Sequence, residues 1–331
     1  MIGFVNRNGF LLGLAGAVLL AWWTPEFGAR GGTLNSDRWV RVGIVVIFLA
    51  QGFGLSSESI RTGVSNWRLH VFTQAWISLG APLLVLGGLA LGGDALPADL
   101  RVALFFLAVL PTTVSSAVAL IAQAEGDVAG GVFNTVLSNL AGVLIVPTAV
   151  VWYTAATGAG SGMELWPVFR YLLLVLLLPF VLGHLARVPF HRYINPVKAV
   201  SRPLTQGIIC FMVYAAFATS FRDKAWEAVG LVFAVQALLA ACALLAVQSL
   251  AVWASGRLLL RTREEQIAAF FCGSQKSLAV GVPYAAALFT LEGSAANPSA
   301  VLLPLLFYHP IQLFLGAALL RGRDRLFPAN G

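Results

Sequence analysis

The sequence predicts an all-α polytopic membrane protein of ten transmembrane helices, and three observations carry that expectation. Ten apolar runs follow one another along the 331 residues, near 10–23, 39–55, 69–91, 100–124, 128–154, 166–188, 204–221, 225–256, 266–290 and 299–320. Hydrophobic residues make up 59% of the chain and charged ones only 11%, where soluble domains carry about 25% charge. The fourth and ninth runs are each interrupted by a polar group. Helix is the natural reading of every run, because in lipid each backbone group must find its partner within the segment, and about 20 residues suffice to cross.

The same composition leaves little chain for anything else. A soluble catalytic domain, a secreted disulfide scaffold and a disordered regulator are all disfavoured. Cys210, Cys242 and Cys272 lie inside apolar runs, so they read as small hydrophobes rather than as a disulfide or metal framework. The net charge of +7 comes from short basic clusters between the runs. That pattern controls topology and meets anionic headgroups; it is not a nucleic-acid motif. The first run, with Arg7 before it and small residues near Ala29, has features of a signal peptide. Nine further runs behind it favour an uncleaved first helix.

Basic residues set the expected orientation. With the N-terminus inside, the cytoplasmic pieces hold Arg7, Arg61, Arg68, Arg187, Arg192, Lys198, Arg202, Arg257, Arg261, Arg263, Arg321, Arg323 and Arg325. The opposite side holds Arg30, Arg38, Arg41, Arg101, Arg170, Arg222 and Lys224. The excess places both termini in the cytoplasm, and the expected location is a bacterial inner (plasma) membrane. Trp22, Trp23, Trp39, Trp152, Trp166 and Trp226 fall on the other face, as an interfacial aromatic belt. Of 21 basic and 14 acidic residues, Lys276 alone sits in the middle of a run.

The two interrupted runs are the most informative segments. In the fourth, Pro111 is followed by Thr112, Thr113, Ser115 and Ser116. Proline removes a helical hydrogen bond and frees a carbonyl, and the hydroxyls can serve freed backbone or a ligand. In the ninth, Gly273 precedes Ser274, Gln275, Lys276 and Ser277. Ten spans divide into two halves of five, 1–160 and 161–331, and an odd number per half inverts the second half. Paired broken helices at matching places in such halves point to a transporter site near the midplane. The runs after the breaks are also polar in places: Asn134, Thr135, Ser138 and Asn139 in the fifth, and Tyr308, His309, Pro310 and Gln312 in the tenth.

Plainer readings stand beside these. Membrane Ser and Thr often only bond backbone or hold helices together. His309 reads as a packing histidine as readily as a proton carrier, and Glu125 and Asp127 read as a solvated turn. Lys276 at membrane depth reads as an anion partner or coupling group; its other reading is a structural cation bonded to the open carbonyls of a broken helix.

The strings QGFGLSSESIRTG, LPTTVSSAVALIAQAEGDVAGGVFNTVLSNLAGVLIVP, CGSQKSLAVGVP and LLPLLFYHPIQLFLGAAL resemble the bile acid:sodium symporter superfamily. The likeness covers nearly the whole chain in order. It is nearest to the branch of human solute carrier family 10 member 7 and its bacterial and fungal relatives. The resemblance implies two inverted five-helix repeats. Helices one, two, six and seven would form a panel, and helices three to five and eight to ten a core. Broken helices four and nine would cross in that core, and substrate would pass by alternating access.

The family's sodium sites carry over incompletely. Ser116 matches the serine of a Ser-Asn pair, but Ala117 stands where the asparagine would be. Thr135 and Asn139 keep oxygen-bearing side chains, and Gln275 matches the ninth-helix glutamine. Phe271 occupies the place of a glutamate that joins both sodium sites, and Lys276 replaces the usual asparagine. Two unit charges about 4 Å apart repel by about 4 kcal/mol at an effective dielectric near 20, so a cation beside Lys276 is disfavoured. The sequence therefore implies altered sodium sites at Ser116, Thr135, Asn139 and Gln275, no confident metal, and no other cofactor. Either a fixed ammonium replaces sodium, or Lys276 changes protonation state in the cycle, which would allow proton coupling.

The expected function is secondary transport of a small organic anion. Lys276 would be the anion partner or coupling group. Ser116, Thr135, Asn139, Gln275 and Ser277 would line the crossing, and Thr112, Thr113 and Ser115 would shape the break. His309 would be a second candidate for proton exchange. The expected partners are the lipid bilayer and that anion, with no nucleic acid. The alternative is a non-transporting membrane regulator tied to calcium homeostasis, which the branch resemblance suggests. An intramembrane enzyme with Ser274 as nucleophile and His309 as base is disfavoured, since nothing else in the chain supports it.

Overall fold

The computed structural model describes residues 2–54, 66–158, 166, 170–171, 173–187, 189–190, 194–289 and 296–328. The boundary expected at residues 160 and 161, Arg61, Arg192 and the second half of QGFGLSSESIRTG lie outside these residues. The side chains of Arg7, Lys198, Arg202 and Trp226 do too.

Every regular element among the described residues is a helix. In chain order they are α1 (Ile2–Trp23), α2 (Pro25–Gly28), α3 (Ser36–Gly54), α4 (Trp67–Gly92), α5 (Ala98–Val109), α6 (Ser115–Gln123) and α7 (Val128–Ala156). Then follow α8 (Leu173–Arg187), α9 (Ile194–Arg222), α10 (Ala225–Leu259), α11 (Arg263–Ser274), α12 (Leu278–Phe289), α13 (Pro298–Leu320) and α14 (Arg323–Leu326). Among the described residues five segments are long and apolar enough to cross a membrane: Trp67–Gly92, Val128–Ala156, Pro203–Arg222, Gly230–Leu259 and Pro298–Leu320. Gly9–Trp23 and Leu173–Arg187 are shorter apolar helices. Large side chains such as Leu83, Leu231, Leu239, Leu250 and Phe314 are exposed on them. A soluble protein rarely shows so much apolar surface, whereas a lipid-facing one must. The chain is an all-α membrane protein.

The long helices are not uniform. α4 holds a π turn at Trp76–Gly80, where the Trp76 indole donates to Ser255 Oγ at 3.0 Å. α10 bends at Gly230, whose φ of 62° only glycine adopts without strain. Pro147 in α7 and Pro304 and Pro310 in α13 each leave a carbonyl without its helical donor.

The chain divides into two compact units. The first comprises Met1–Leu55, Thr154–Ala234 and Gly281–Leu302. Within it α3 packs on α8, and α9 packs on α1, α2 and α3. The α3–α8 contact depends on two glycines. A Cβ on Gly52 would run into the carbonyl oxygen of Phe180, and one on Gly183 into that of Leu49. Small residues let membrane helices approach backbone to backbone. Gly183→Ala is therefore expected to cost about 1–3 kcal/mol through forced displacement. Thermal unfolding of the purified variant measures it, and an unchanged midpoint would contradict the close approach.

The second unit comprises Ser56–Tyr153, Val235–Val280 and Leu303–Gly331. Its apolar cluster joins Leu69 and Phe72 of α4, Leu120 and Ile121 of α6, and Ile267, Phe270 and Phe271 of α11. α11 begins with a reciprocal capping box: Thr262 Oγ1 accepts from the Glu265 N–H, and the Glu265 carboxylate accepts from the Thr262 N–H. Asn66 donates to the same carboxylate at 2.7 Å, which ties the start of α4 to the start of α11. Glu125, in the turn between α6 and α7, pairs with Arg323 at 2.6 Å, and Arg263 pairs with Asp324. Glu125 is exposed as its charge suggests, Asp127 is half-buried, and the turn anchors α14.

Candidate functional site

Both breaks lie in the second unit, and the structure brings them together. α5 ends at Val109 because Leu110 is extended, with φ −62° and ψ 143°, and helix resumes at Ser115. α11 ends at Ser274 because Gln275 is extended, with φ −92° and ψ 147°, and helix resumes at Leu278. The two breaks are joined through their backbones, with the Ser277 N–H donating to Pro111 O at 2.9 Å.

A broken helix in lipid leaves carbonyls that water would otherwise satisfy, and each orphan is costly. Here they are served one by one. The Lys276 ammonium, fully buried, donates to Ala108 O at 2.5 Å and to Leu110 O at 3.0 Å. It thus sits at the C-terminal end of α5, where the helix dipole presents partial negative charge. Asn139 Nδ2 donates to Thr112 O at 3.1 Å and to Thr135 O at 2.7 Å. On the other break, Gln248 donates to Gly273 O at 2.5 Å and the Tyr308 hydroxyl donates to Ser274 O at 2.7 Å. Gln312 clamps the Lys276 peptide from both sides. Its Oε1 accepts from the Lys276 N–H at 2.8 Å, and its Nε2 donates to Lys276 O at 2.9 Å.

A hydroxyl cluster stands beside this scaffold. Thr113 Oγ1 and Ser116 Oγ are hydrogen-bonded at 2.5 Å, and Gln275 Oε1, 2.9 and 3.2 Å from them, accepts from the hydroxyl whose proton is left. Thr113 Oγ1 also accepts from the Ala117 N–H at 3.1 Å, which holds the first turn of α6. Ala117 and Phe271, the two positions at which the resemblance implies changed sodium ligands, are buried; Phe271 meets the ring of Phe270 edge-on at 5.2 Å.

The expected site residues fall into groups. Thr113, Ser116 and Gln275 share one cluster. Thr112, Thr135 and Asn139 are joined by the Asn139 amide, and the Thr135 hydroxyl is spent on Val132 O at 2.8 Å. Thr112 Oγ1 and Asn139 Oδ1 are buried without a hydrogen-bond partner. Lys276 and Ser277 bridge the two breaks, and Ser115 opens α6. His309 Nδ1 lies 2.9 Å from Gln312 Nε2, so it buttresses the clamp. Ser274 Oγ donates to Phe270 O at 2.6 Å.

Gln248, Tyr308 and Gln312 were not expected to hold the break. Tyr308 and Gln312 stood out only as polar residues in an apolar run, and Gln248 lay unmarked in the eighth. Their common signal is a large polar side chain buried at membrane depth. A second buried network joins His70 Nδ1 to Asn134 Nδ2 at 3.0 Å, and Gln74 Nε2 to Asn134 O at 3.0 Å. It fixes α4 to α7. Among the described residues no group of three His, Cys, Asp or Glu side chains gathers to hold a metal ion.

Comparison with known proteins agrees with this architecture. Residues 8–324 match the SBF-like CPA transporter family. The chain is 34% identical over 317 residues to a Pseudomonas aeruginosa protein named uncharacterized protein PA2026, covering 94% of this chain and 91% of that one. It is 33% identical to the putative symporter YfeH of Escherichia coli, covering 96% and 92% of the two chains. It is 26% identical to sodium/bile acid cotransporter 7 of Danio rerio, covering 97% and 94%. A profile that spans nearly the full length and relatives that align end to end leave one conclusion: this chain belongs to the SBF-like CPA transporter family.

Proposed function

We propose that the chain is a secondary transporter, not an enzyme, that moves a small organic anion by alternating access, with the Lys276 ammonium taking the place of a coupling sodium ion. One observation carries this reading: Lys276 Nζ is shared between Ala108 O and Leu110 O at the negative end of α5. Relatives are named sodium/bile acid cotransporter, which makes sodium the ion to test. A sodium ion at the crossing would need free oxygens, with a carboxylate among them. Here two carbonyls are occupied by a tethered cation, and the buried Phe271 fills the place of the carboxylate. At the altered positions the Ser116 hydroxyl, the Thr135 hydroxyl, the Asn139 amide N–H2 and Gln275 Oε1 are spent on one another and on backbone, which leaves Asn139 Oδ1 as a lone oxygen, too few for a sodium cage.

In this reading the chain has ten spans in two inverted repeats, 1–160 and 161–331, in the bacterial inner membrane with both termini cytoplasmic. Spans one, two, six and seven form the panel and the others the core. The α5/α6 and α11/α12 pairs are the crossing helices. Ser274 and His309 each hold other partners than one another, which supports transport over nucleophilic chemistry.

Counterflow in proteoliposomes, with a panel of labelled small organic acids, tests the proposal. Accumulation of at least one acid is expected, at the same rate in potassium as in sodium. A flux that requires sodium would overturn the replacement, and a purified protein that exchanges none of the acids would favour the regulator.

A further inference from the structure

The first unit holds a cavity of about 340 Å³ whose lining includes Arg41, Tyr171, Met212, Val282, Ala286 and Phe289. From this cavity we infer that the protein carries a binding site for a small amphipathic monoanion, such as a carboxylate or sulfonate on a short hydrocarbon body. The inference deepens the transport reading and rests on it for the role of substrate alone; binding is measured without turnover.

Charge decides the sign of the ligand. Three charged side chains line the cavity: Arg30, Asp37 and Arg41. Arg30 Nε and Asp37 Oδ1 are 3.3 Å apart and neutralise each other. Among the described residues Arg41 has no carboxylate partner, so the lining carries one net positive charge. The hydroxyls Ser36 and Thr219 are already engaged, Ser36 donating to Ala29 O at 3.1 Å and Thr219 accepting from the Arg30 N–H at 3.0 Å. The Arg41 guanidinium and the Tyr171 phenol remain as donors for an anionic head, and a guanidinium meets a carboxylate or sulfonate with two parallel bonds.

The rest of the wall decides the body. Ile44, Met212, Val282, Ala286, Phe289 and Leu302 are apolar. The volume lies near the low end of the roughly 300–1,000 Å³ range of ligand cavities, which limits the body to a compact one. Ser36, Asp37, Val40, Arg41 and Ile44 line the cavity from the first turns of α3, the same turns that carry the exposed indole of Trp39. Exposed tryptophans settle at the membrane–water interface, where amphipathic anions concentrate.

Thermal unfolding in phosphatidylcholine nanodiscs tests the site, with hexanesulfonate and hexanoate as probes and hexanol and hexylammonium as controls. The two anions are expected to raise the midpoint saturably and the controls not to. Arg41→Gln should weaken hexanesulfonate binding at least tenfold. Arg41→Lys should keep most of it, and Ala286→Phe should remove it by filling the wall. Arg41 is exposed, so its variants fold irrespective of the cavity. Equal stabilisation by hexylammonium, or unchanged affinity in Arg41→Gln, would overturn the site. Displacement of hexanesulfonate by phosphatidylglycerol in the disc would overturn the assignment to a free solute and give the cavity to a lipid headgroup. Hexanesulfonate counterflow should fall with binding in Arg41→Gln; unchanged counterflow would remove the cavity from the substrate path. Arg41-dependent binding in a protein that exchanges no organic acid would instead sink the transport reading and spare the site.

Discussion

Lys276→Met should abolish counterflow and lower stability by about 2–4 kcal/mol. Without the ammonium, Ala108 O and Leu110 O lose their donor inside a dry segment, and each orphaned carbonyl costs about 1–3 kcal/mol. Part of that is offset, because methionine no longer buries a charge. The loss of transport follows from geometry as well as from energy. Lys276 fastens one break to the other alongside Gln275 and the Ser277 N–H, and the two half-helices must keep their crossing while the rest of the protein moves. A second variant separates replacement of sodium from simple packing. Lys276→Ala leaves space beside two carbonyls at the negative end of α5, where a free cation can sit. Sodium or propylammonium at high concentration should raise the unfolding midpoint of Lys276→Ala and leave the wild type unmoved. A variant with wild-type stability and counterflow, or one that no cation rescues, would show that the ammonium does not stand in for an ion.

The helices were legible in the sequence wherever lipid imposes its demand. Runs at 69–91, 128–154 and 299–320 correspond to Trp67–Gly92, Val128–Ala156 and Pro298–Leu320, because a stretch that must satisfy all its own backbone bonds has no choice but helix. The breaks were legible too. Pro111 and Gly273 mark them, and polar residues at membrane depth are too costly to be accidental. The destination of the Lys276 ammonium was not. Its partners are backbone carbonyls of Ala108 and Leu110, and a carbonyl's identity leaves no trace in the side chain that carries it. The sequence reading left two roles open for Lys276, and the geometry shows the ammonium on helix carbonyls. The role of Gln248, Tyr308 and Gln312 was hidden for a related reason. Each acts on a peptide group far away in sequence, so no local spacing announces it. The cavity beside Arg41 was hidden in the same way: Arg41 looked like one basic residue among those flanking a span, and its apolar companions come from three distant stretches of chain.

Gln312→Met should cost about 2–6 kcal/mol, the largest loss expected from a single site. Gln312 satisfies both the N–H and the C=O of Lys276, and methionine keeps its volume while removing both bonds. Two buried peptide groups are then left without partners, at about 1–3 kcal/mol each. No buried charge is relieved in exchange, which is why the loss exceeds that at Lys276. The substitution also frees the peptide that orients the ammonium, so counterflow should fall with stability. Gln312→Glu divides the two bonds. A carboxylate oxygen still accepts from the Lys276 N–H, but nothing donates to Lys276 O, and a negative charge enters beside the ammonium. Its loss should therefore fall between wild type and Gln312→Met if the accepting bond matters. A midpoint in Gln312→Met that corresponds to less than about 1 kcal/mol would mean that the Lys276 peptide finds other partners, and the clamp would have to be abandoned as the element that sets the crossing.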